Sequence, residues 1–235
     1  MSACADAPGA TNNSWAVSNH AAAKLETGDG CGDSGDYAAL YARDVLAVSN
    51  ASAGARAQWT FAAPDGTSIA GISYSRWLYK EDDDDWQPAL RADDVIVDSC
   101  TIPATAINCT SGARGGQRTS TSFGGAQSLS LGVVCAAVAP ITCSNGGTLH
   151  AAVAVLYGAT VTLSDSSRPG VSDVGGSLVA GSYRRGDQVV SFGASDNAGI
   201  RASRLYVDGG PWSSTTYPCD FTFAIPCFNK SNAQL

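Results

Sequence analysis

The residues best equipped for chemistry lie in one run, Tyr74-Ser75-Arg76-Trp77-Leu78-Tyr79-Lys80-Glu81-Asp82-Asp83-Asp84-Asp85-Trp86-Gln87. Side chains alternate along an extended strand. Tyr74, Arg76, Leu78 and Lys80 would share one face, and Ser75, Trp77 and Tyr79 the other. Aromatic rings beside carboxylates, amides and an arginine suit a sugar. Its apolar ring face stacks on a tryptophan while its hydroxyls bond the polar groups. Arg76, Trp77, Tyr79, Asp83, Asp85 and Trp86 are therefore the candidate ligand contacts. The plainer reading makes Trp77 and Trp86 core residues and the acidic run a solvated hairpin loop. On general grounds that reading is the stronger of the two.

Carboxylate clusters also suit calcium, which takes six to eight hard oxygen ligands. In the acidic run, Asp82 and Asp84 would cooperate while Asp83 and Asp85 face away. Asp29, Asp33 and Asp36 sit in a glycine-rich loop whose carbonyls could complete a cage, so they are the candidate metal ligands. Asp196-Asn197 and Asp208 form a third group, for which local turn chemistry is the competing account. No EF-hand spacing is present, and no cofactor other than calcium is expected.

Enzyme chemistry is thin. Cys31-Gly32-Asp33-Ser34-Gly35 resembles the nucleophile loop of chymotrypsin-like proteases. Only 33 residues precede Ser34, and His20 is the single upstream histidine. That class of protease is excluded. His150 lies in the apolar run Thr148-Leu149-His150-Ala151-Ala152-Val153 and reads as a sheet residue. No GxSxG, Walker A or GxGxxG fingerprint occurs. Glycoside hydrolysis needs two suitably separated carboxylates. Glu26 and Glu81 are the two glutamates, and crowded aspartates would raise one another's pKa. Arg185-Gly186-Asp187 spells the integrin tripeptide but reads as a tight turn.

The eight cysteines are Cys4, Cys31, Cys100, Cys109, Cys135, Cys143, Cys219 and Cys227. No CxxC occurs, and with two histidines a zinc site is not expected. The last six fall into close pairs. Of the roughly 105 formal connectivities, the spacing favours 100–109, 135–143 and 219–227, leaving 4–31. Disulfides imply an oxidising compartment. Met1-Ser2-Ala3-Cys4 lacks the charged start and apolar core of a signal peptide, so we expect a signal that was trimmed or missed. Sequons begin at Asn12, Asn50, Asn108 and Asn229. The Ala/Gly/Asp-rich, Lys-poor composition looks like a high-GC bacterium, where they would be chance matches.

Positioning these residues falls to strands. Of the 235 residues, charged types make up 15%, against about 25% ordinarily. The net charge of −7 disfavours a nucleic-acid binder, and no apolar run would span a bilayer. Arg56 to Ala62 alternates with period two, Ala57, Trp59 and Phe61 against polar neighbours. Pro64-Asp65-Gly66-Thr67 is a turn, and a strand resumes from Ser68 to Lys80. Val95-Ile96-Val97, Leu129 to Val134, Leu149 to Tyr157 and Thr160 to Leu163 are further strands. Residues 111–125 read as loop, and a short helix is expected around Asn19 to Leu25. Ser164 to Gly170 is a polar connector, placing a first domain over 1–164 and a second over 171–235. In the second, strands are expected at Gly176–Ala180, Gln188–Ala194 and Ile200–Val207. Asp208-Gly209-Gly210 is a turn, and no strong strand follows.

Three stretches together carry a resemblance. They are Trp59-Thr60-Phe61-Ala62-Ala63-Pro64-Asp65-Gly66-Thr67, then Ala194-Ser195-Asp196-Asn197-Ala198-Gly199-Ile200-Arg201 running to Val207-Asp208-Gly209, and Pro218-Cys219-Asp220-Phe221 to Pro226-Cys227. The chain resembles secreted proteins of high-GC Gram-positive bacteria with a lectin-like (concanavalin-type) sandwich followed by a bacterial Ig-like module. The resemblance covers most of the chain, but its motifs are turns, a cysteine loop and strand alternation. No catalytic residue comes with it. It implies an all-β protein: a lectin-like antiparallel β-sandwich, then an Ig-like β-sandwich of roughly 70 residues, short of the usual ~100. Such a module is minimal or lacks terminal strands, which would leave an edge open for self-association or partner docking. The expected role is a secreted or surface-exposed, non-catalytic binding protein whose partner is a glycan or cell-surface polymer. A structural subunit of a surface assembly, joined through that edge, is the first alternative, and a glycoside hydrolase using aspartates the second.

Overall fold

The computed structural model describes residues 2–4, 11–81, 85–102, 108–113, 118–181 and 185–235. Among them the chain is all-β, built of antiparallel sheets with no helix. It divides into two compact units, Met1–Ala63 with Ser68–Ser164, and Pro64–Thr67 with Asp165–Leu235.

The first unit contains β1 (Ser2–Ala3), β2 (Trp15–Asn19), β3 (Leu25–Asp29), β4 (Leu40–Asp44), β5 (Ala51–Ser52), β6 (Arg56–Ala62) and β7 (Thr67–Glu81). It continues with β8 (Trp86–Ala92), β9 (Val95–Ser99), β10 (Asn108–Gly112), β11 (Thr119–Ala126), β12 (Ser128–Cys135), β13 (Thr142–Cys143) and β14 (Ala152–Asp165). One sheet has the order β10-β7-β14-β4-β3, with β11 also on β7 and β1 on β14. The facing sheet has the order β2-β6-β12-β8-β9, and β5 pairs with β13. The long β7 serves two partners in turn. Its first half pairs with β11 and its second with β10, Trp77 lying opposite Gly112.

Period-two alternation decides what enters the core. In β6, Ala57, Trp59 and Phe61 are buried, as the pattern requires. Leu25, Leu40, Leu78, Leu90, Leu129 and Leu156 are fully buried as well. The Trp59 indole N–H donates to the Tyr41 carbonyl at 3.0 Å, tying the two sheets together. At the β8–β9 turn, Asp93 and Asp94 both take positive φ. The Asp93 carboxylate accepts from the backbone N–H groups of Gln127 and Ser128, which fixes the entry to β12.

The four disulfides are the three pairs that spacing favoured and the one left by elimination. They are Cys4–Cys31, Cys100–Cys109, Cys135–Cys143 and Cys219–Cys227, with Cα separations of 5.0, 5.7, 5.8 and 4.5 Å.

Several expected elements differ. Asn19 to Leu25 is a turn rather than a helix. The Asn19 carboxamide accepts from Ala21 N–H and donates to Leu25 O, and Leu25 is pulled wholly inside as the first residue of β3. Of residues 111–125, read as loop, 111–112 end β10 and 119–125 belong to β11. Its Ser/Thr pattern lacks an apolar period because it is an edge strand, mostly exposed. The strand expected from Leu149 begins only at Ala152, and Leu149 is exposed.

The second unit has β15 (Gly170–Gly175), β16 (Ser191–Ser195), β17 (Ala202–Val207), β18 (Gly210–Thr216) and β19 (Lys230–Gln234). β15-β16-β19 make one sheet, and β17-β18 make a hairpin about Asp208-Gly209. Residues 176–180 form bends and turns, and strands do follow the hairpin turn, namely β18 and β19. A small core of Val190, Phe192, Ala194, Ile200 and Ala233 holds the unit together.

Candidate functional site

β7 and β4 build the candidate site because each sends alternate residues to opposite faces. Tyr74, Arg76 and Leu78 of β7 face the space between the sheets. Tyr74 Oη donates to Asp98 Oδ2 at 2.6 Å, and Arg76 grips both Asp98 oxygens at 2.8 and 2.7 Å. Asp98 lies on β9 of the opposite sheet. Burial alone would raise its pKa, but hydrogen bonds from Arg76 and Tyr74 outweigh it and hold the carboxyl below the usual range. Burial, with the bond to Asp98, raises the Tyr74 phenol.

Trp77 and Tyr79 point the other way, onto the outer face of the seven-stranded sheet. Their ring centroids lie 6.3 Å apart, tilted by 40°. Tyr37 meets Trp77 at 6.2 Å and Tyr41 at 5.1 Å. Buried Val153, Val155 and Tyr157 of β14, with Ala39, form the floor beneath these four half-buried rings. Arg43 lies over the Tyr37 ring, its Cζ 4.1 Å from the centroid, and 4.9 Å from that of Tyr41. The guanidinium also pairs with Glu26 on β3. Burial opposes its charge, yet hydrogen bonds to Tyr37 and Glu26 prevail and raise its pKa. The Tyr79 phenol is likewise raised, by burial and then by the charges of Glu81 and Asp44, so it stays a donor.

Two glycines make this face possible. Gly28 pairs with Tyr41 across the β3–β4 ladder. A Cβ at Gly28 would stand 2.3 Å from Tyr41 Cζ, so the phenol ring occupies the space a side chain would need. A Cβ at Gly30 would meet the Tyr37 carbonyl at 2.3 Å, so the loop that delivers Tyr37 also depends on a bare backbone. Cys4–Cys31 anchors that loop covalently.

Beside the platform, Asp44 is fully buried. Its carboxylate accepts from Gly146 N–H at 2.7 Å and Ala152 N–H at 3.0 Å, and lies 3.5 Å from His150 Nδ1. His150 Nδ1 is 2.7 Å from the Asp44 carbonyl. Burial would raise the Asp44 pKa, but bonds to His150, Ala152 and Gly146 win and lower it. The His150 ring stands edge-on to Tyr37 at 6.3 Å. Its place is the bend before β14, not the strand itself.

The sequence-derived contacts thus separate. Trp77 and Tyr79 share the outer face. Arg76 faces inward and is engaged by Asp98, so it does not reach that face. Trp86 is buried, and its indole donates to Ser144 O at 2.6 Å, which places it in the core. Asp85 is exposed just before β8. Asp82, Asp83 and Asp84 lie outside the described residues. The sequence does not single out Tyr37, Tyr41 or Arg43, and Glu26 figures in it only as one of the two glutamates. The signal for two of them was Leu40-Tyr41-Ala42-Arg43-Asp44, whose alternate residues Leu40, Ala42 and Asp44 are buried while Tyr41 and Arg43 project outward.

Asp29, Asp33 and Asp36 do not converge. Asp29 Oδ1 accepts from Cys31 N–H, a local turn bond. Among the described residues the one close group of potential ligands is Cys4, Asp29 and Cys31, and its sulfurs are joined in a disulfide. Asp196 similarly accepts from Ala198 N–H, and Gln188 closes the Arg185-Gly186 turn through their carbonyls. No helix of the described chain is long and apolar enough to cross a membrane. A scan of protein-family models and a search of curated proteins each found no match to this chain.

Proposed function

We propose that the protein is a secreted or surface-exposed carbohydrate-binding protein and that Trp77 and Tyr79 stack on its ligand. The observation that carries the reading is the aromatic platform: four partly exposed rings on one sheet face, over an apolar floor, with polar groups interleaved. Sugar rings present C–H faces to such rings and hydroxyls to Tyr, Arg and Glu. Neutral glycans fit best. Arg43 is already matched by Glu26, and the net charge of −7 repels polyanions. Four disulfides support a role in an oxidising compartment. The experiment is a glycan array with the whole chain, followed by Trp77→Ala. Binding of neutral oligosaccharides lost in that variant supports the reading. Absence of any hit, or hits indifferent to Trp77, opposes it. Hydrolysis of a bound polysaccharide, lost in Asp85→Asn, would favour the glycosidase alternative.

A further inference from the structure

The second unit leaves an apolar cleft of about 610 Å³ open between β15 and β17. Val171 and Val174 of β15 line it, yet they remain 64% and 57% exposed. Three residues apart, they should lie on opposite faces of a regular strand. A bulge prevents this. Between Ser172 and Gly175 the strand holds one residue more than its partner β16, and Asp173 sits there at φ 50°. The extra residue returns Val174 to the side of Val171, facing the cleft with Phe192 and Ala194. Asp173 falls on the opposite side, its carboxylate 3.6 Å from where Gly193 would carry a Cβ.

Both strands flanking the cleft have an unpaired edge. β15 is the end of its sheet, and β17 pairs only with β18 among the described residues. The faces of β17 match those of β15. Leu205 packs toward the small core, while Arg204, at the rim of the cleft, is exposed and also lines a shallow depression with Tyr206 and Trp212, without a carboxylate partner among the described residues. One edge therefore offers valines inward and a carboxylate outward, and the other a leucine inward and a guanidinium at the rim. Residues 165–235 hold six Lys/Arg and six Asp/Glu, so the charge repulsion of the rest of the chain is absent here.

We propose that the occupant of this cleft is a second copy of the chain. β15 of one copy lies beside β17 of the other, with Asp173 facing the partner's Arg204, and the two-fold repeats the pairing. The three-stranded sheet of each copy then continues into the hairpin of the other. Two five-stranded layers result, and their shared interior covers Val171, Val174 and Leu205 of both copies. The proposal is independent of the glycan reading and uses none of its residues.

Sedimentation of the whole chain over a wide concentration range tests it. A reversible dimer is expected. Arg204→Glu and Val174→Lys should each weaken it by about tenfold or more, with circular dichroism and disulfide content unchanged. Adding Asp173→Lys to Arg204→Glu should recover part of the loss. Asn232→Asp, on the edge strand β19, should leave association intact. A monomer at every concentration, or a dimer indifferent to both single variants, overturns the proposal.

Discussion

Replacing Asp98 by alanine should destabilise the first unit severely, and its neighbours set the size of the effect. The Arg76 and Asp98 side chains are only 13% and 15% exposed. Three hydrogen bonds converge on the carboxylate, two from the Arg76 guanidinium and one from the Tyr74 phenol. Without Asp98 the guanidinium is left partly buried and uncompensated, which typically costs about 3–5 kcal/mol. That is a large share of the ~5–15 kcal/mol stability of a domain. Arg76→Ala should cost less, since a lone carboxylate can take up a proton instead. Arg76→Met with Asp98→Leu should recover most of the loss, because a well-packed apolar pair replaces a buried ion pair at little net cost. Urea unfolding followed by tryptophan fluorescence measures all three variants. The pH dependence has a definite sign. Asp98 has a depressed folded-state pKa, so its stabilisation is present above about pH 3.9, the unfolded-chain value. It is lost as pH falls below that toward the folded value, and this loss should be reduced in Asp98→Ala. A change under about 0.5 kcal/mol in Asp98→Ala would refute the inward assignment of Arg76 and revive it as a ligand contact.

Gly28→Ala should displace the Tyr41 ring, costing about 1 kcal/mol of ring contact against a gain of about 0.5–1 kcal/mol from a stiffer strand residue. Thermal unfolding should then barely move while glycan affinity falls. Asp44→Asn should cost about 1–3 kcal/mol, because an amide cannot accept from both Gly146 and Ala152 as a carboxylate does. Hydrogen exchange at those two amides should quicken. Replacing Cys135 and Cys143 together by alanine should lower stability by about 2–3 kcal/mol in the chain-entropy model, read from chemical denaturation.

What the sequence discloses here depends on the range of the interaction. The alternation of Ala57, Trp59 and Phe61 identified β6 because burial follows the strand period. Short cysteine spacings paired themselves because their loops close locally. The same period separated Trp77 and Tyr79 from Arg76, but it could not say which face is inside. That is decided by Asp98, which lies 22 residues from Arg76. For Trp86 the sequence leaves both a ligand contact and a core residue open, with core the stronger, and the partner that makes it core, Ser144, is 58 residues away. β11 stayed hidden because an exposed edge strand of Ser, Thr and Gly has no apolar rhythm. The three loop aspartates looked like a cage from composition, whereas Asp29 spends its carboxylate on a turn bond to Cys31.

Isothermal titration of a neutral oligosaccharide, chosen from the array, into wild type, Trp77→Ala and Trp212→Ala tests the central claim most directly. Trp212 is 76% exposed on β18 of the second unit and serves as the control. The account predicts that Trp77→Ala loses affinity by about tenfold or more while Trp212→Ala matches wild type. Equal affinities for all three proteins, or a loss confined to Trp212→Ala, would contradict it.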